Sequence, residues 1–206
     1  MKYLLVGRTG RGKDYLKKKL MENKRCPFAF AKTYTTRKKR TPDESTYNFI
    51  SREETEEIID KVAVTEIRNG DEPDLYFARG EDVLENDAII VDPRGVNEIL
   101  KKYPEETFVI IYITANAEKA KEMAVKRAND NVESGIIFEK RSKDENDEFA
   151  EFEMLLNHQG YFKGYNNVAM VVQVINDYRE ETMEHAMNNI VEIQQQSKMG
   201  NTILCV

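Results

Sequence analysis

Short apolar runs punctuate an otherwise polar chain, at residues 4–6, 88–91, 108–113 and 168–174. Each run is continuous rather than alternating, which is the pattern of a strand buried on both faces of a sheet. Between them lie stretches with helical spacing, at 14–21, 97–102, 117–127 and 179–195. Buried strands alternating with helices predict an α/β fold, a mainly parallel sheet flanked by helices.

Two segments break that rhythm. Residues 31–79 are rich in Thr, Lys, Arg and Tyr, with β-like pieces only at 63–67 and 75–78, and they predict a small inserted lobe. Residues 128–147 are densely charged and predict a mobile flap between helices. The chain shows no internal repeat, and the glutamine run from Gln194 onward predicts a loose tail. The expected organisation is therefore one domain. Its core covers 1–32, 80–126 and 150–196, its lobe 33–79, its lid 127–149 and its tail 197–206.

The densest chemical signal follows the first apolar run. Gly7-Arg8-Thr9-Gly10-Arg11-Gly12-Lys13 has the spacing G-x-x-x-x-G-K between a predicted strand and a predicted helix. That context is the one a phosphate-binding loop needs. Glycines let backbone N–H groups wrap an anion, the helix N-terminus adds partial positive charge, and Lys13 can reach the outer phosphates. The next position normally carries a Ser or Thr hydroxyl for Mg²⁺, and here it is Asp14.

Composition narrows the field. The chain has 206 residues, 40% hydrophobic and 33% charged, enough for one domain with a substantial core. A net charge of −6 argues against a nucleic-acid-binding body. Cys26 and Cys205 stand far apart, outside any Cys/His cluster, so neither a zinc site nor a disulfide framework is expected and a reducing cytoplasm is the default. No apolar run approaches the ~20 residues that span a bilayer. The start is too short for a signal segment, and Cys205 is misplaced for prenylation, so no membrane partner is expected.

Three further constellations stand out. Thr33 to Arg40 reads T-Y-T-T-R-K-K-R, followed by Asp43, Glu44 and Tyr47. Arg37 and Arg40 supply planar, bidentate donors suited to a phosphate, though the same string alone would pass for a solvated basic turn. Beside a phosphate loop it suggests a second, acceptor site. Asp92 ends the second apolar run, at the end of the sheet where ligands bind in such folds. It could hold Mg²⁺ through water, face an acceptor base, or cap the helix that follows. Arg127 and Arg141 bracket the charged flap, where arginines could neutralise a transferring phosphoryl group. His158 and His185 suggest no catalytic role.

In this order the features resemble the guanylate kinase family of P-loop nucleoside-monophosphate kinases, over nearly the whole chain. The most specific pieces are F-A-F-A-K-T-Y-T-T-R-K-K-R at 28–40, Y-N-F-I-S at 47–51, D-P-R-G-V at 92–96, E-K-R at 139–141 and V-I-N-D at 174–177. The resemblance implies an enzyme that transfers the γ-phosphoryl group of ATP, with Mg²⁺, to a nucleoside monophosphate, GMP or dGMP. Its partners would be small-molecule nucleotides. Gly7, Arg8, Thr9, Gly10, Arg11, Gly12, Lys13 and Asp14 would bind ATP. Arg37, Arg40, Tyr47 and Tyr76 would hold the acceptor phosphate, and Thr33, Glu66 and Asp92 would read the base. Lys13, Arg127 and Arg141 would act in catalysis, and Asp14 and Asp92 would face the metal.

The chain also departs from the family pattern. Asp14 replaces the metal-binding hydroxyl, Ile90 the first acid of a D-x-D pair, and Met123 a further lid arginine. The loop from Pro42 to Tyr47 is short, leaving Asp43 or Glu44 as its acid. Within Leu75-Tyr76-Phe77-Ala78 the family's Tyr-Gly pair reads as shifted to Phe-Ala, with the loss of a phosphate hydroxyl. Two alternatives follow: a kinase for another small phosphorylated acceptor, or a degenerate module that binds phosphorylated partners.

Overall fold

The computed structural model describes residues 1–39, 41–68, 72–127, 138–140, 142–143, 145–157 and 164–199, with the side chains of Arg68, Arg127 and Leu155 outside that description. Arg40, Arg141, His158, the segment 128–137 and residues 200–206 lie outside it as well.

The four predicted strands form one parallel sheet. They are β1 (Lys2–Val6), β6 (Ala88–Ile90), β7 (Phe108–Thr114) and β8 (Val168–Ile175), in the order β6-β1-β7-β8. Strand alternation divides their side chains between two cores. Tyr3, Leu5, Val109, Ile111 and Ile113 meet Leu16 and Leu20 of α1 (Lys13–Met21) and Met183, Ile190 and Val191 of α7 (Glu180–Lys198). Leu4, Val6, Phe108, Ile110 and Tyr112 meet α4 (Pro93–Lys102) through Val96, Ile99 and Leu100, and α6 (Asn146–Asn157) through Phe149 and Phe152. Continuous apolar runs are therefore required on β1, β6 and β7, which is why the sequence revealed them. β8, at the end of the strand order, exposes its alternate residues Ala169, Val171, Gln173 and Ile175, so its run is not buried on both faces as expected. The remaining core helix, α5 (Ala117–Arg127), follows β7.

Residues 33–79 carry a second, smaller sheet with β2 (Tyr34–Thr35), β3 (Asn48–Phe49), β4 (Lys61–Arg68) and β5 (Pro73–Arg79), in the order β3-β2-β5-β4. α2 (Arg52–Glu57) lies between β3 and β4, its start fixed by a capping box between Ser51 and Glu54. α3 (Gly80–Glu85) leads back to the main sheet. Val62 of β4 and Ala78 of β5 join the second core, so one face of the small sheet is held against the main body.

Element boundaries differ from expectation at three places. α4 begins at Pro93 rather than near residue 97, because Asp92 caps it through the Gly95 N–H at 2.7 Å and Pro93 occupies its first turn. α6 begins at Asn146, so the last residues of the expected lid belong to a packed helix. α7 runs through Gln194–Gln196 to Lys198, against the expected loose tail. Gln194 is buried there, and its amide donates to Asp87 at 3.0 Å. Among the described residues, no helix is long and apolar enough to cross a membrane.

Candidate phosphate-loop and acceptor site

Register places two of the sequence signals side by side. Leu5 pairs with Ile90 in neighbouring parallel strands, so the phosphate loop after β1 and Asp92 after β6 emerge together at the C-terminal edge of the sheet.

The loop's shape follows from its glycines. Gly10 and Gly12 adopt φ +79° and +98°, the left-handed region that side chains rarely enter. Gly7 sits so close to β7 that a Cβ would stand 2.5 Å from the Ile113 carbonyl oxygen. The loop is also held from behind. The Asn176 amide donates to the Arg11 carbonyl at 2.9 Å, and the Tyr178 hydroxyl to the Gly10 carbonyl at 2.9 Å. With those carbonyls engaged outward, the first N–H groups of α1, at Lys13 and Asp14, face a site without intrahelical acceptors. The V-I-N-D string thus contributes a loop support through Asn176. Replacing it by leucine strands a buried acceptor, which costs about 2 kcal/mol. Asn176→Leu should therefore lower the melting temperature by roughly 5 °C in a chain of this size, read by thermal unfolding.

Lys13 bonds to the Gly7 carbonyl and, at 3.0 Å, to the Arg8 carbonyl. Burial pushes its ammonium below the ordinary lysine value, opposed by the charges of Glu145 and then Asp14. Arg11 is buried and donates to the Ala115 carbonyl at 2.5 Å, so this loop residue serves the scaffold. Arg8 grips Glu153 of α6 with two donors at 2.9 and 3.1 Å and reaches Asn146 at 3.3 Å. Tyr112 donates to the same Glu153 carboxylate. Burial works against the Glu153 charge, and the bonds from Arg8 and Tyr112 outweigh it, leaving the carboxyl below its usual value. Thr9 donates its N–H to Glu145 at 2.9 Å and its hydroxyl to the other oxygen of the same carboxylate. Asp14 is exposed at the start of α1.

On the small sheet, Arg37, Tyr47 and Tyr76 come together. The Arg37 guanidinium lies 5.7 Å from the Tyr47 ring and 5.3 Å from the Phe49 ring, and the Tyr47 and Tyr76 rings meet edge to face at 5.5 Å. Tyr76, one of the residues expected at the acceptor, thus brings its hydroxyl to Arg37. Arg37 is buried and forks onto Glu44 at 2.6 and 3.3 Å, which settles the acid of the short loop on Glu44. The hydrogen bond it donates to Glu44 pushes the guanidinium further up from its ordinary value, against burial. Lys38 and Lys39 are exposed.

The base-reading set assembles only in part. Thr65 and Tyr76 pair across β4 and β5, and Thr35 pairs with Tyr76 on the other side, so all three share the face that includes Ala78. Thr33 precedes β2, half-buried. The Thr65 hydroxyl donates to Asp92 Oδ2 at 2.6 Å, so the helix-capping reading of Asp92 holds while its second oxygen turns to β4. Glu66 pairs with Leu75 and lies on the opposite face, exposed and apart from Asp92. A second acid comes from α6 instead: Glu148 accepts the Arg94 N–H at 2.9 Å, and burial followed by the Asp92 charge raises its pKa. Sequence reasoning missed Thr65, Glu145, Glu148 and Glu153. Their sequence signal is slight, since Thr65 lies in a partly exposed strand, Glu148 and Glu153 in an acidic helix and Glu145 in the turn before it.

Comparisons with known proteins point to one family. A family model described as guanylate kinase fits residues 1–175. A guanylate kinase of Campylobacter jejuni (strain RM1221) is 28% identical over 180 residues, covering 82% of this chain and 86% of that protein. A guanylate kinase of Campylobacter jejuni subsp. jejuni serotype O:2 is likewise 28% identical, with 82% and 85% covered. Among solved structures, the crystal structure of guanylate kinase from Anaplasma phagocytophilum superposes with a TM-score of 0.52 at 16% identity, over 94% of this chain and 86% of that one, a likeness of fold.

Proposed function

The chain belongs to the guanylate kinase family of nucleoside-monophosphate kinases, and from that premise we propose that it transfers the γ-phosphoryl group of ATP to GMP or dGMP, giving ADP and the nucleoside diphosphate. The observation that carries the reading is the pairing of two anion sites of different construction. One is the glycine loop with Lys13; the other is Arg37 set among Tyr47, Phe49 and Tyr76. A phosphotransferase needs a donor and an acceptor site, and phosphoryl transfer needs positioning and charge neutralisation rather than a covalent intermediate.

In this reading, loop N–H groups and Lys13 hold the β- and γ-phosphates, and Arg37 orients the acceptor phosphate through its planar fork, with the hydroxyls of Tyr47 and Tyr76 beside it. Thr65 and Asp92 offer hydrogen-bonding atoms toward the base, and Thr33 would join them from the stretch before β2. Guanine presents adjacent N–H donors, and a carboxylate oxygen beside a hydroxyl oxygen can accept both. Glu66 takes no part, because it lies on the other face of β4. The contributions of Arg40, Arg127 and Arg141 rest on the family resemblance, since the side chains of all three lie outside the described residues.

The residues at the loop fit Mg²⁺, which favours one or two carboxylates completed by water and substrate phosphates. Asp14 offers an exposed hard-oxygen donor at the helix start. Bound there, the ion would neutralise phosphate charge. Asp92 is the weaker candidate, with both its oxygens engaged by Gly95 and Thr65. If Asp14 holds the ion, Asp14→Ser should keep or raise turnover. Asp14→Ala should weaken the Mg²⁺ dependence of turnover about tenfold in the concentration required. Equal profiles for both variants would make Asp14 a helix-start acid only.

The competing reading is a degenerate phosphate-binding module. ATP titrations with and without Mg²⁺ separate the two: the kinase should show metal-dependent ATP affinity lost in Lys13→Ala, and a degenerate module should show neither.

A further inference from the structure

Glu145 stands where an incoming phosphate would compete. Its two oxygens accept the N–H and the hydroxyl of Thr9, within the glycine loop. A phosphate offers the same paired acceptors to the same donors.

The placement of this carboxylate is built into the fold. The Glu145 carbonyl accepts the Phe149 N–H at 3.1 Å, so the residue heads the first turn of α6. Phe149 and Phe152 anchor that helix in the core, and Arg8 ties Asn146 and Glu153 of the same helix to the loop. The glutamate is thus delivered to Thr9 by a helix anchored in the core. Lys13 meanwhile bonds to the loop's own Gly7 and Arg8 carbonyls, and Glu145 is foremost among the carboxylates that support its charge. Together these groups set around the loop the charge pattern that a bound anion would make.

We propose that Glu145 is an internal anion of the phosphate loop, which a nucleotide polyphosphate must displace, and that it thereby sets the loop's affinity for nucleotide. A carboxylate carries one charge and a polyphosphate several, so the exchange favours the ligand once its concentration is sufficient. The inference rests on the reading of Gly7–Lys13 as a phosphate loop.

The test is calorimetric binding of inorganic tripolyphosphate to the whole chain and to three variants. Glu145→Gln keeps the shape but turns an amide donor toward Thr9, and it should bind about tenfold tighter than the unaltered chain. Glu145→Asp is one methylene too short to span both donors and should also tighten binding, by a smaller factor. Lys13→Ala should weaken binding at least tenfold. If Lys13→Ala weakens binding while neither Glu145 variant tightens it, the loop binds phosphate and the proposal is overturned. If tripolyphosphate binds none of the four, the phosphate-loop reading falls with it. Should Glu145→Gln fail to fold, Glu145→Asp decides: tighter binding supports displacement, and unchanged binding overturns it.

Discussion

Lys13→Ala should lower the rate of phosphoryl transfer by about a thousandfold, with the melting temperature unchanged or slightly raised. The catalytic loss has an electrostatic origin. Charge builds on the transferred group, and a preorganised cation held in a water-poor loop is worth far more there than in water; removing one such donor costs roughly 10²–10³ in rate, and the fixed charge of Lys13 places it at the upper end. The stability half of the prediction follows from the surroundings of Lys13 itself. Among the described residues Lys13 donates to the carbonyls of Gly7 and Arg8, and burial depresses its pKa, so its charge is a burden on the folded protein until an anion arrives. An alanine relieves that burden. Initial rates at saturating nucleotide, alongside thermal unfolding, check both halves; a loss of rate matched by a collapse in melting temperature would mean that Lys13 supports the fold rather than the chemistry.

Arg37→Ala should raise the KM for the acceptor nucleotide about a hundredfold and leave the KM for ATP within twofold. Two charge-assisted bonds from a planar fork are at stake, each worth about 1.5 kcal/mol or more. Arg37→Lys should fall between, near tenfold, because an ammonium keeps the charge and loses the fork. Glu44 makes the experiment sharper. Its carboxylate already holds the guanidinium at 2.6 Å, so the acceptor phosphate must share or displace that partner. Glu44→Gln weakens the hold and should leave acceptor KM unchanged or lower, the reverse of Arg37→Ala. Steady-state kinetics with each substrate varied in turn separates the two effects. A rise in ATP KM of equal size would move Arg37 out of the acceptor site.

The legible parts of this fold are those whose physics is local. A strand buried on both faces must be apolar throughout, so Leu4–Val6 and Phe108–Ile113 stood out. A loop that needs positive φ at Gly10 and Gly12 leaves glycines at fixed spacing. Asp92 followed by Pro93 carried its cap openly, and a cap is what it makes. Long-range geometry hid the rest. Between Val62 and Thr65 the β4–β5 register shifts, with Ala63 at φ +52°, and a one-residue slip reverses every face. That slip put Thr65, and not Glu66, beside Asp92. The contact of Thr9 with Glu145 spans 136 positions and has no local pattern at all. Gln194 read as the start of a polar tail because its partner, Asp87, sits on the far side of the sequence.

The most direct test of the account is ADP release from Mg-ATP by the purified chain, against a panel of GMP, dGMP, AMP, CMP, UMP and dTMP. Turnover confined to GMP or dGMP, and lost in Lys13→Ala, is the predicted result. Turnover with an adenine or pyrimidine nucleotide instead, or a folded protein silent across the whole panel, would contradict it.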